Sequence, residues 1–130
     1  MAETVTRDGR CLCGAVRYRV TGEPIWVSHC HCESCRRATS AAFATYAGFD
    51  RERFEITAGE PAIYRSSPGV ERRFCRQCGS PITYESVRWP TETHIFLCGL
   101  EDPTSIEPTA HTHTDEQLPW VHLGDNLPRQ

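Results

Sequence analysis

The chain has 130 residues, which is the size of one domain and predicts a single domain over residues 1–130. Its formal net charge is −3, and all 14 of its basic residues are arginine. The absence of lysine excludes Schiff-base chemistry and a P-loop lysine, and the acidic balance disfavours a general nucleic-acid binder. The first residues contain no apolar stretch, so we expect no membrane segment and a cytoplasmic location, where cysteines stay reduced.

Short segments of strand character follow one another along the chain, interrupted by 9 Gly and 9 Pro. Val16, Tyr18 and Val20 alternate with arginines, which is typical of a half-buried strand. Further strands are predicted at residues 25–27, 42–49, 54–57, 62–65 and 94–98. Asp50 is predicted to begin one helical turn over residues 51–53, and residues 118–123 are expected to pack on the sheet and close the domain. The pattern predicts a mostly β fold, with an irregular α+β domain as the alternative.

Seven of the eight cysteines fall into three clusters with metal-ligand spacing. They form a C-x-C at Cys11 and Cys13, a C-x-C-x-x-C at Cys30, Cys32 and Cys35, and a C-x-x-C at Cys75 and Cys78. In an extended segment residues i and i+2 point to the same side, so a C-x-C directs two sulfurs at one ion. A C-x-x-C spans a tight turn that does the same. In a reducing compartment these spacings indicate metal rather than disulfides.

The seven thiols predict two zinc ions per chain, one in a four-sulfur site and one in a three-sulfur site. The C-x-C-x-x-C cluster is compact enough to hold one ion alone, which leaves an open position of the kind that chemistry needs. The other four sulfurs then make a closed structural site, formed by Cys11, Cys13, Cys75 and Cys78. An alternative splits the compact motif between two ions. It groups Cys11, Cys13, Cys30 and Cys32 and leaves Cys35, Cys75 and Cys78.

Cys98 stands apart from the clusters, in the apolar run of residues 94–98. A small cysteine in such a run is expected to be buried on a strand. The alternative makes Cys98 the fourth ligand of the three-sulfur site.

The histidines are weaker candidates for metal ligands than the cysteines. His29 and His31 alternate with the cysteines of the middle cluster, so we expect them to point to the opposite face and to act beside the metal. His111 and His113 are expected to share one face of a strand, with no third ligand nearby. His94 and His122 are predicted to be ordinary side chains.

Taken together, these residues resemble the glutathione-dependent formaldehyde-activating enzymes and their relatives, which include centromere protein V. The resemblance rests on residues 11–16 (CLCGAV), 29–37 (HCHCESCRR) and 74–81 (FCRQCGSP), and it extends to residues 99–103 and 118–120. It implies a β-tent fold of small antiparallel sheets around zinc, with structural zinc at the outer clusters and active-site zinc at the middle one. It also implies a carbon–sulfur lyase that joins formaldehyde reversibly to glutathione, giving S-hydroxymethylglutathione.

The three-sulfur site also favours thiol chemistry on its own. Three thiolates on Zn²⁺ carry a net charge of −1, so this ion acidifies water less than a three-histidine site does. Such a soft site suits an incoming thiol, and a thiolate is the nucleophile that attacks an aldehyde. We therefore expect an enzyme that forms or cleaves adducts of a small thiol. His29, His31 or a zinc-bound water are the candidates for supplying a proton to the alkoxide.

Arginine and aromatic side chains are the candidates for contacting the substrate. Arg36 and Arg37 follow the middle cluster and are expected to bind the carboxylates of a glutathione-like thiol. A second set of arginines is expected around the four-sulfur site, namely Arg72, Arg73 and Arg76. The pocket walls are expected to come from Trp26, Phe43 and Tyr46.

The rival hypothesis is a non-catalytic, zinc-stapled module that binds protein or nucleic acid. Seven thiolates with two Zn²⁺ add −3 to the formal charge of −3, which gives −6. A protein with this charge binds phosphate only through a strongly segregated basic face, which disfavours nucleic acid as a partner.

Overall fold

The computed structural model describes residues 4–130, and within them ten strands and one α-helix form a mostly β fold, as predicted. In chain order these elements are β1 Thr6–Arg10, β2 Arg17–Thr21, β3 Trp26–Cys30, α1 Glu33–Thr39, β4 Ala44–Asp50, β5 Phe54–Ala58, β6 Ala62–Ser67, β7 Val70–Phe74, β8 Pro81–Ser86, β9 Glu92–Phe96 and β10 Ala110–Thr112. The strands form a three-stranded sheet in the order β1-β2-β5 and a seven-stranded sheet in the order β10-β3-β4-β9-β8-β7-β6.

The three-stranded sheet is antiparallel and is built around β2. Tyr18 and Val20 of β2 are buried while the arginines between them are exposed, which follows the predicted alternation. The polar segment β1 was not predicted as a strand, and it pairs along its full length with β2. Gly9 lies opposite Tyr18, and a Cβ at this position would come within 2.3 Å of the tyrosine ring. Glycine therefore permits the close approach of these two strands.

The seven-stranded sheet is antiparallel except at one edge, where β10 runs parallel to β3. Its apolar residues pack with those of β2 in one core, which includes Val27, Ala47, Phe49, Ile82 and Ile95. Three of the four cysteines of the outer clusters join this core at its end, because Cys11 and Cys75 are buried in it and Cys78 packs against it. The core thus connects the two sheets beside the predicted four-sulfur site.

The helix α1 was not predicted from the sequence. The sulfur of Cys32 caps it by accepting a hydrogen bond from the Cys35 N–H at 3.3 Å, and Ser40 ends it with a left-handed backbone. Arg37 and Glu33 lie one helical turn apart, and the ion pair of 2.8 Å between Arg37 Nε and Glu33 Oε2 stabilises the helix. Within residues 4–130, no helix has the length and apolar character needed to cross a bilayer.

Residues 51–53 form the predicted helical turn after Asp50, although the Asp50 side chain makes no capping hydrogen bond. Residues 118–123, which were predicted to pack on the sheet and close the domain, form no strand, and Leu118, Val121 and Leu123 are half-buried. Trp120 is 66% exposed, and the sheet edge is met instead by the last residues of the chain. The His111 N–H donates to Pro128 O and the Gln130 N–H donates to His111 O, both at 2.8 Å. Because Pro119 has no N–H, its segment is unsuited to extending the ladder.

Candidate metal centre and binding cavity

The structure brings the cysteines of the two outer clusters together. Cys11 and Cys13 follow β1, and Cys75 and Cys78 lie in the turn between β7 and β8. The four sulfurs lie within 4.8 Å of one another. Since β1 belongs to the small sheet and β7 to the large one, this cluster links the two sheets.

The donor set fits one tetrahedral zinc ion. Zinc–sulfur bonds of about 2.3 Å place neighbouring sulfurs of a regular tetrahedron about 3.8 Å apart. Cys13 Sγ lies 3.7 Å from both Cys11 Sγ and Cys75 Sγ. A hydrogen bond with the Ser80 hydroxyl is the largest influence that lowers the pKa of the Cys78 thiol, to about 5, which favours the thiolate that zinc binds.

The second cluster consists of the three cysteines at the end of β3 and the start of α1. Cys35 Sγ lies 2.9 Å from Cys32 Sγ and 3.1 Å from Cys30 Sγ. Hydrogen bonds with Cys30 and Cys35 lower the pKa of the Cys32 thiol, whereas hydrogen bonds with Cys30 and Cys32 raise the pKa of the Cys35 thiol. The three sulfurs lie close enough to bind one ion if they move slightly apart. That ion would have three protein ligands and one free coordination position.

These groupings match the favoured division of the seven thiols. The alternative division needs Cys11 and Cys13 to share an ion with Cys30 and Cys32, and the structure does not bring those four sulfurs together. Within residues 4–130, no eighth cysteine joins either cluster.

Cys98 corrects one prediction. It is exposed, not buried, because β9 ends at Phe96 and the chain enters a 3₁₀ turn over Leu97–Gly99. Leu97 is the residue of that turn that enters the core, which leaves Cys98 on its outer side.

The three-sulfur cluster lies in a cavity of about 990 Å³. Its wall is mainly apolar and contains several aromatic side chains, which suits the burial of a small organic ligand. The aromatic residues of the wall include Trp26, Tyr46, Tyr64, Tyr84, Trp89 and Phe96. Two of the three expected wall residues are therefore present. Phe43 is not, since its ring packs against His29 and His31 instead.

The cavity also contains four arginines, and their partners differ. Arg37 pairs with Glu33, and Arg73 lies 3.6 Å from Glu85. Arg88 lies over the ring of Trp89 at 4.9 Å, and within residues 4–130 it forms no ion pair. Three of them occupy the side of the cavity formed by β7, β8 and the turn after β8. The four are Arg37, Arg72, Arg73 and Arg88.

Arg72 is the one of the four whose guanidinium has a buried nitrogen without a partner within residues 4–130. Its Nε donates to Ser66 Oγ at 3.0 Å, and its guanidinium carbon lies 4.9 Å from the centre of the Tyr84 ring. Its Nη1 is buried and has no partner within residues 4–130. Arg72 and Arg73 were expected around the four-sulfur cluster, but their strand carries them into the cavity.

Arg36 and Arg37, the predicted substrate residues, are neighbours in α1, but only one of them reaches the cavity. Arg37 lines the cavity, whereas Arg36 Nε donates to His31 O at 3.3 Å and does not line it. Both also border a shallow depression that Leu118 and Trp120 help to form.

The histidines beside the middle cluster lie on the opposite face of β3, as the alternation indicates. His31 Nε2 lies 2.9 Å from His111 Nδ1, and His111 Nε2 lies 2.9 Å from Asp125 Oδ2. The hydrogen bond with His111 lowers the pKa of Asp125. His29 stacks on His111 with ring centres 4.8 Å apart. These side chains, of which His31 and His111 are buried, connect the C-terminal segment to the back of the three-sulfur cluster.

His113 does not share a face with His111, which corrects the prediction. Its backbone is left-handed, with φ 54° and ψ 42°, so the strand alternation ends at Thr112. This conformation costs a non-glycine residue about 1–2 kcal/mol. It brings His113 to the edge of the cavity, where it lies beside the exposed groups of Asp115 and Glu116.

The chain matches known proteins over most of its length. Residues 6–116 match the family described as "Glutathione-dependent formaldehyde-activating enzyme". A Halomonas elongata protein named "Putative glutathione-dependent formaldehyde-activating enzyme" is 30% identical over 126 residues, which cover 89% of this chain and 80% of that protein. An "Uncharacterized lyase" of Schizosaccharomyces pombe is 32% identical over 78 residues, which cover 59% of this chain and 56% of that protein.

The fold also has a solved counterpart. The crystal structure of a Rhodobacter sphaeroides protein aligns with a TM-score of 0.65 over 95% of this chain and 99% of that chain, at 24% sequence identity. This similarity concerns the fold alone. The match over residues 6–116 and the Halomonas relative establish the family on sequence grounds. The chain belongs to the glutathione-dependent formaldehyde-activating enzyme family.

Proposed function

We propose that this protein is a zinc-dependent carbon–sulfur lyase that forms and cleaves adducts of a small thiol with an aldehyde. Glutathione with formaldehyde, giving S-hydroxymethylglutathione, is the first candidate pair. The observation that carries the proposal is the convergence of three cysteine sulfurs in a cavity of about 990 Å³. The family description and the lyase name of a relative support an enzyme of this kind.

The two cysteine clusters have different roles in this proposal. Cys11, Cys13, Cys75 and Cys78 hold a structural zinc ion, because four sulfurs leave no open position. Cys30, Cys32 and Cys35 hold the active-site zinc ion, because three sulfurs leave one position for the substrate. When bound there, zinc supplies a soft Lewis acid that favours the thiolate form of the incoming thiol.

Arginine side chains orient the thiol through its carboxylates. Arg72 is the main candidate, since its buried Nη1 has no partner within residues 4–130 and a carboxylate would supply one. Its stacking on Tyr84 holds the guanidinium plane in a fixed direction. Arg37 lies at the helix side of the same cavity and is a second candidate. The position of Arg36, which is bonded to His31 O, gives it no contact with a ligand in this cavity.

The aromatic side chains of the wall give the ligand an apolar surface to pack against. Trp26 is fixed by a hydrogen bond of 2.9 Å from its Nε1 to Glu92 Oε1, and Tyr46 packs against Phe96 with ring centres 4.6 Å apart. In an environment with little water, the attraction between a thiolate and the surrounding positive charges is stronger than in bulk solvent.

Exchange NMR of the hemithioacetal tests the proposal. Glutathione and formaldehyde are mixed at equilibrium, and the exchange rate between free and hydroxymethylated thiol is measured with and without protein. The spontaneous rate is subtracted, because this adduct also forms without a catalyst. We expect acceleration by the wild-type protein, loss of that acceleration in Cys32→Ser, and no change in Cys98→Ser, whose cysteine lies outside both clusters.

Two results would contradict the proposal. Equal acceleration by wild type and Cys32→Ser would remove the three-sulfur site from the reaction. No acceleration, together with no effect of any tested thiol on the tryptophan fluorescence of the cavity, would favour the zinc-stapled binding module instead.

A further inference from the structure

Joining a thiol to an aldehyde moves a proton from sulfur to oxygen, so the cavity needs a group that can carry it. The histidines suggested by the sequence, His29 and His31, do not line the cavity. His29 Nδ1 lies 2.8 Å from Thr45 Oγ1, and His31 Nε2 lies 2.9 Å from His111 Nδ1. Both rings are engaged on the other face of the sheet, away from the substrate.

Two other histidines line the cavity, and the first of them, His94, is fixed in its wall. His94 Nε2 lies 2.9 Å from Glu92 Oε1, the oxygen that also accepts the hydrogen bond from Trp26. The side chain is only 7% exposed, and its ring stacks on Tyr84 with centres 5.5 Å apart. These contacts indicate that His94 holds the aromatic wall in place.

The second, His113, is placed at the edge of the cavity beside the three-sulfur cluster. The preceding residue, Thr112, lies opposite Cys30 in the pairing of β10 with β3. The left-handed backbone at His113 then turns the chain, and the imidazole is 58% exposed. His113 and the three cysteines of the cluster line the same cavity.

Glu116 ties this imidazole to the helix that carries the cluster. His113 Nδ1 lies 3.7 Å from Glu116 Oε2, and Glu116 Oε1 accepts a hydrogen bond from the Glu33 N–H at 3.2 Å. Glu33 is the first residue of α1, which contains Cys35. With Nδ1 directed towards Glu116, Nε2 makes no hydrogen bond within residues 4–130 and is available to a ligand. The strained backbone and the carboxylate together hold a titratable group at the cavity, a combination that is common at functional sites.

We propose, on the basis of the function proposed above, that His113 is a catalytic residue that carries the proton between the thiol sulfur and the aldehyde oxygen. In the direction of synthesis, neutral His113 accepts the S–H proton at Nε2. The sulfur electron pair forms the C–S bond, and the carbonyl π pair moves onto oxygen. The imidazolium then gives its proton to that oxygen, so the product is the S-hydroxymethyl thiol and His113 is neutral again.

Cleavage runs through the same atoms in reverse. His113 takes the hydroxyl proton, the C=O bond forms again, and the C–S electron pair returns to sulfur, which then receives the proton. The proton count is the same on both sides, and neither direction requires an oxidant, a reductant or a further reactant.

The test compares His113→Ala with His122→Ala in the exchange assay, using zinc-loaded protein whose metal content is measured for each variant. His122 is an exposed histidine that does not line the cavity, so it is a matched control. General acid–base catalysis contributes about 10²–10⁴-fold to a rate, so we expect His113→Ala to lower the catalysed rate by at least about 100-fold. The affinity for glutathione, followed by tryptophan fluorescence, should change by less than about threefold, because proton transfer is not part of binding.

Chemical rescue distinguishes a proton carrier from a structural residue. Added imidazole should restore part of the activity of His113→Ala and should not affect wild type or His122→Ala. A second readout does not depend on turnover: the His113 imidazole resonance, assigned by its loss in His113→Ala, should shift when glutathione and formaldehyde are added, while that of His122 stays in place.

Three results would overturn the inference. The first is a catalysed rate in His113→Ala within threefold of wild type. The second is a large loss that imidazole does not rescue. The third is a rescuable loss in His94→Ala instead, which would assign the proton transfer to the cavity wall. If wild type itself gives no acceleration, the proposed function fails, which is a different result from failure of His113 alone.

Discussion

Removing the exposed half of the four-sulfur cluster should destabilise the whole protein. Cys13 is exposed and Cys78 is partly exposed, whereas Cys11 and Cys75 are 2% and 1% exposed and contribute to the core. The double variant Cys13→Ala, Cys78→Ala therefore leaves the buried cysteines in place and creates little cavity. It keeps one sulfur on each sheet, and two sulfurs are too few to hold a structural zinc ion.

The size of the effect can be worked from the connection that is lost. Cys13 and Cys75 are 62 residues apart in the chain, so a zinc ion held by both, as proposed above, closes a loop of that length. Releasing a loop of this length from a cross-link returns about 4 kcal/mol of chain entropy to the unfolded state. Domains of this size are stable by only about 5–15 kcal/mol. We expect the thermal midpoint to fall by more than roughly 10 °C.

Thermal unfolding followed by circular dichroism, with zinc measured on the same samples, tests this prediction. Cys98→Ala is the matched control, since it removes an exposed cysteine outside both clusters, and it should keep the wild-type midpoint and metal content. A double variant that retains two zinc ions and unfolds within about 2 °C of wild type would refute the structural role of this cluster.

Two further predictions concern the cavity. Arg72→Gln should raise the KM for glutathione by roughly 10–100-fold, because a charge-assisted hydrogen bond contributes about 1.5–3 kcal/mol, and should leave the KM for an uncharged thiol such as 2-mercaptoethanol unchanged. Equal losses for both thiols would contradict a carboxylate-binding role. Gly48→Ala should displace the Trp26 indole, since the new Cβ would lie 2.3 Å from Nε1, at a cost of about 1–3 kcal/mol. Fluorescence and thermal unfolding measure this effect, and Gly124→Ala, with no atom within 4 Å, should match wild type in both.

The grouping of the seven cysteines was predictable from sequence because their spacing and number limit how the sulfurs can converge. Cys30, Cys32 and Cys35 lie within six consecutive residues, so the backbone alone brings their sulfurs together. The outer clusters could be paired by counting sulfurs, since each supplies two and zinc takes four. The alternation that turns His29 and His31 to the other face is a property of any extended segment.

The rest of the site depends on contacts between distant segments. Arg72 reaches the cavity because β7 pairs with β8 and β8 with β9, and no local pattern around Arg72 reveals that order. The position of His113 was not predicted because its own left-handed backbone ends the strand alternation. Sequence rarely reveals this conformation outside glycine and asparagine.

Four elements were not predicted from the sequence, namely α1, β1, β7 and β8, and the first two were missed for local reasons. The helix α1 has seven residues and is capped by a cysteine, so it lacks the length and capping residue that predict a helix. The strand β1 is polar because its outer face meets solvent and its one buried residue is Gly9. Neither segment carries enough apolar residues for a periodicity to be visible.

Native mass spectrometry with glutathione gives the most direct test of two zinc sites of which one is open to a thiol. The spectrum reports the metal count and the bound thiol on the same molecule. We predict a two-zinc species that binds glutathione, and, after mild chelation, a still-folded one-zinc species that does not, because the three-sulfur site is the weaker one. Two results would contradict this prediction. One is equal binding of glutathione to the species with two, one and no zinc ions, and the other is the loss of both ions in one step together with unfolding.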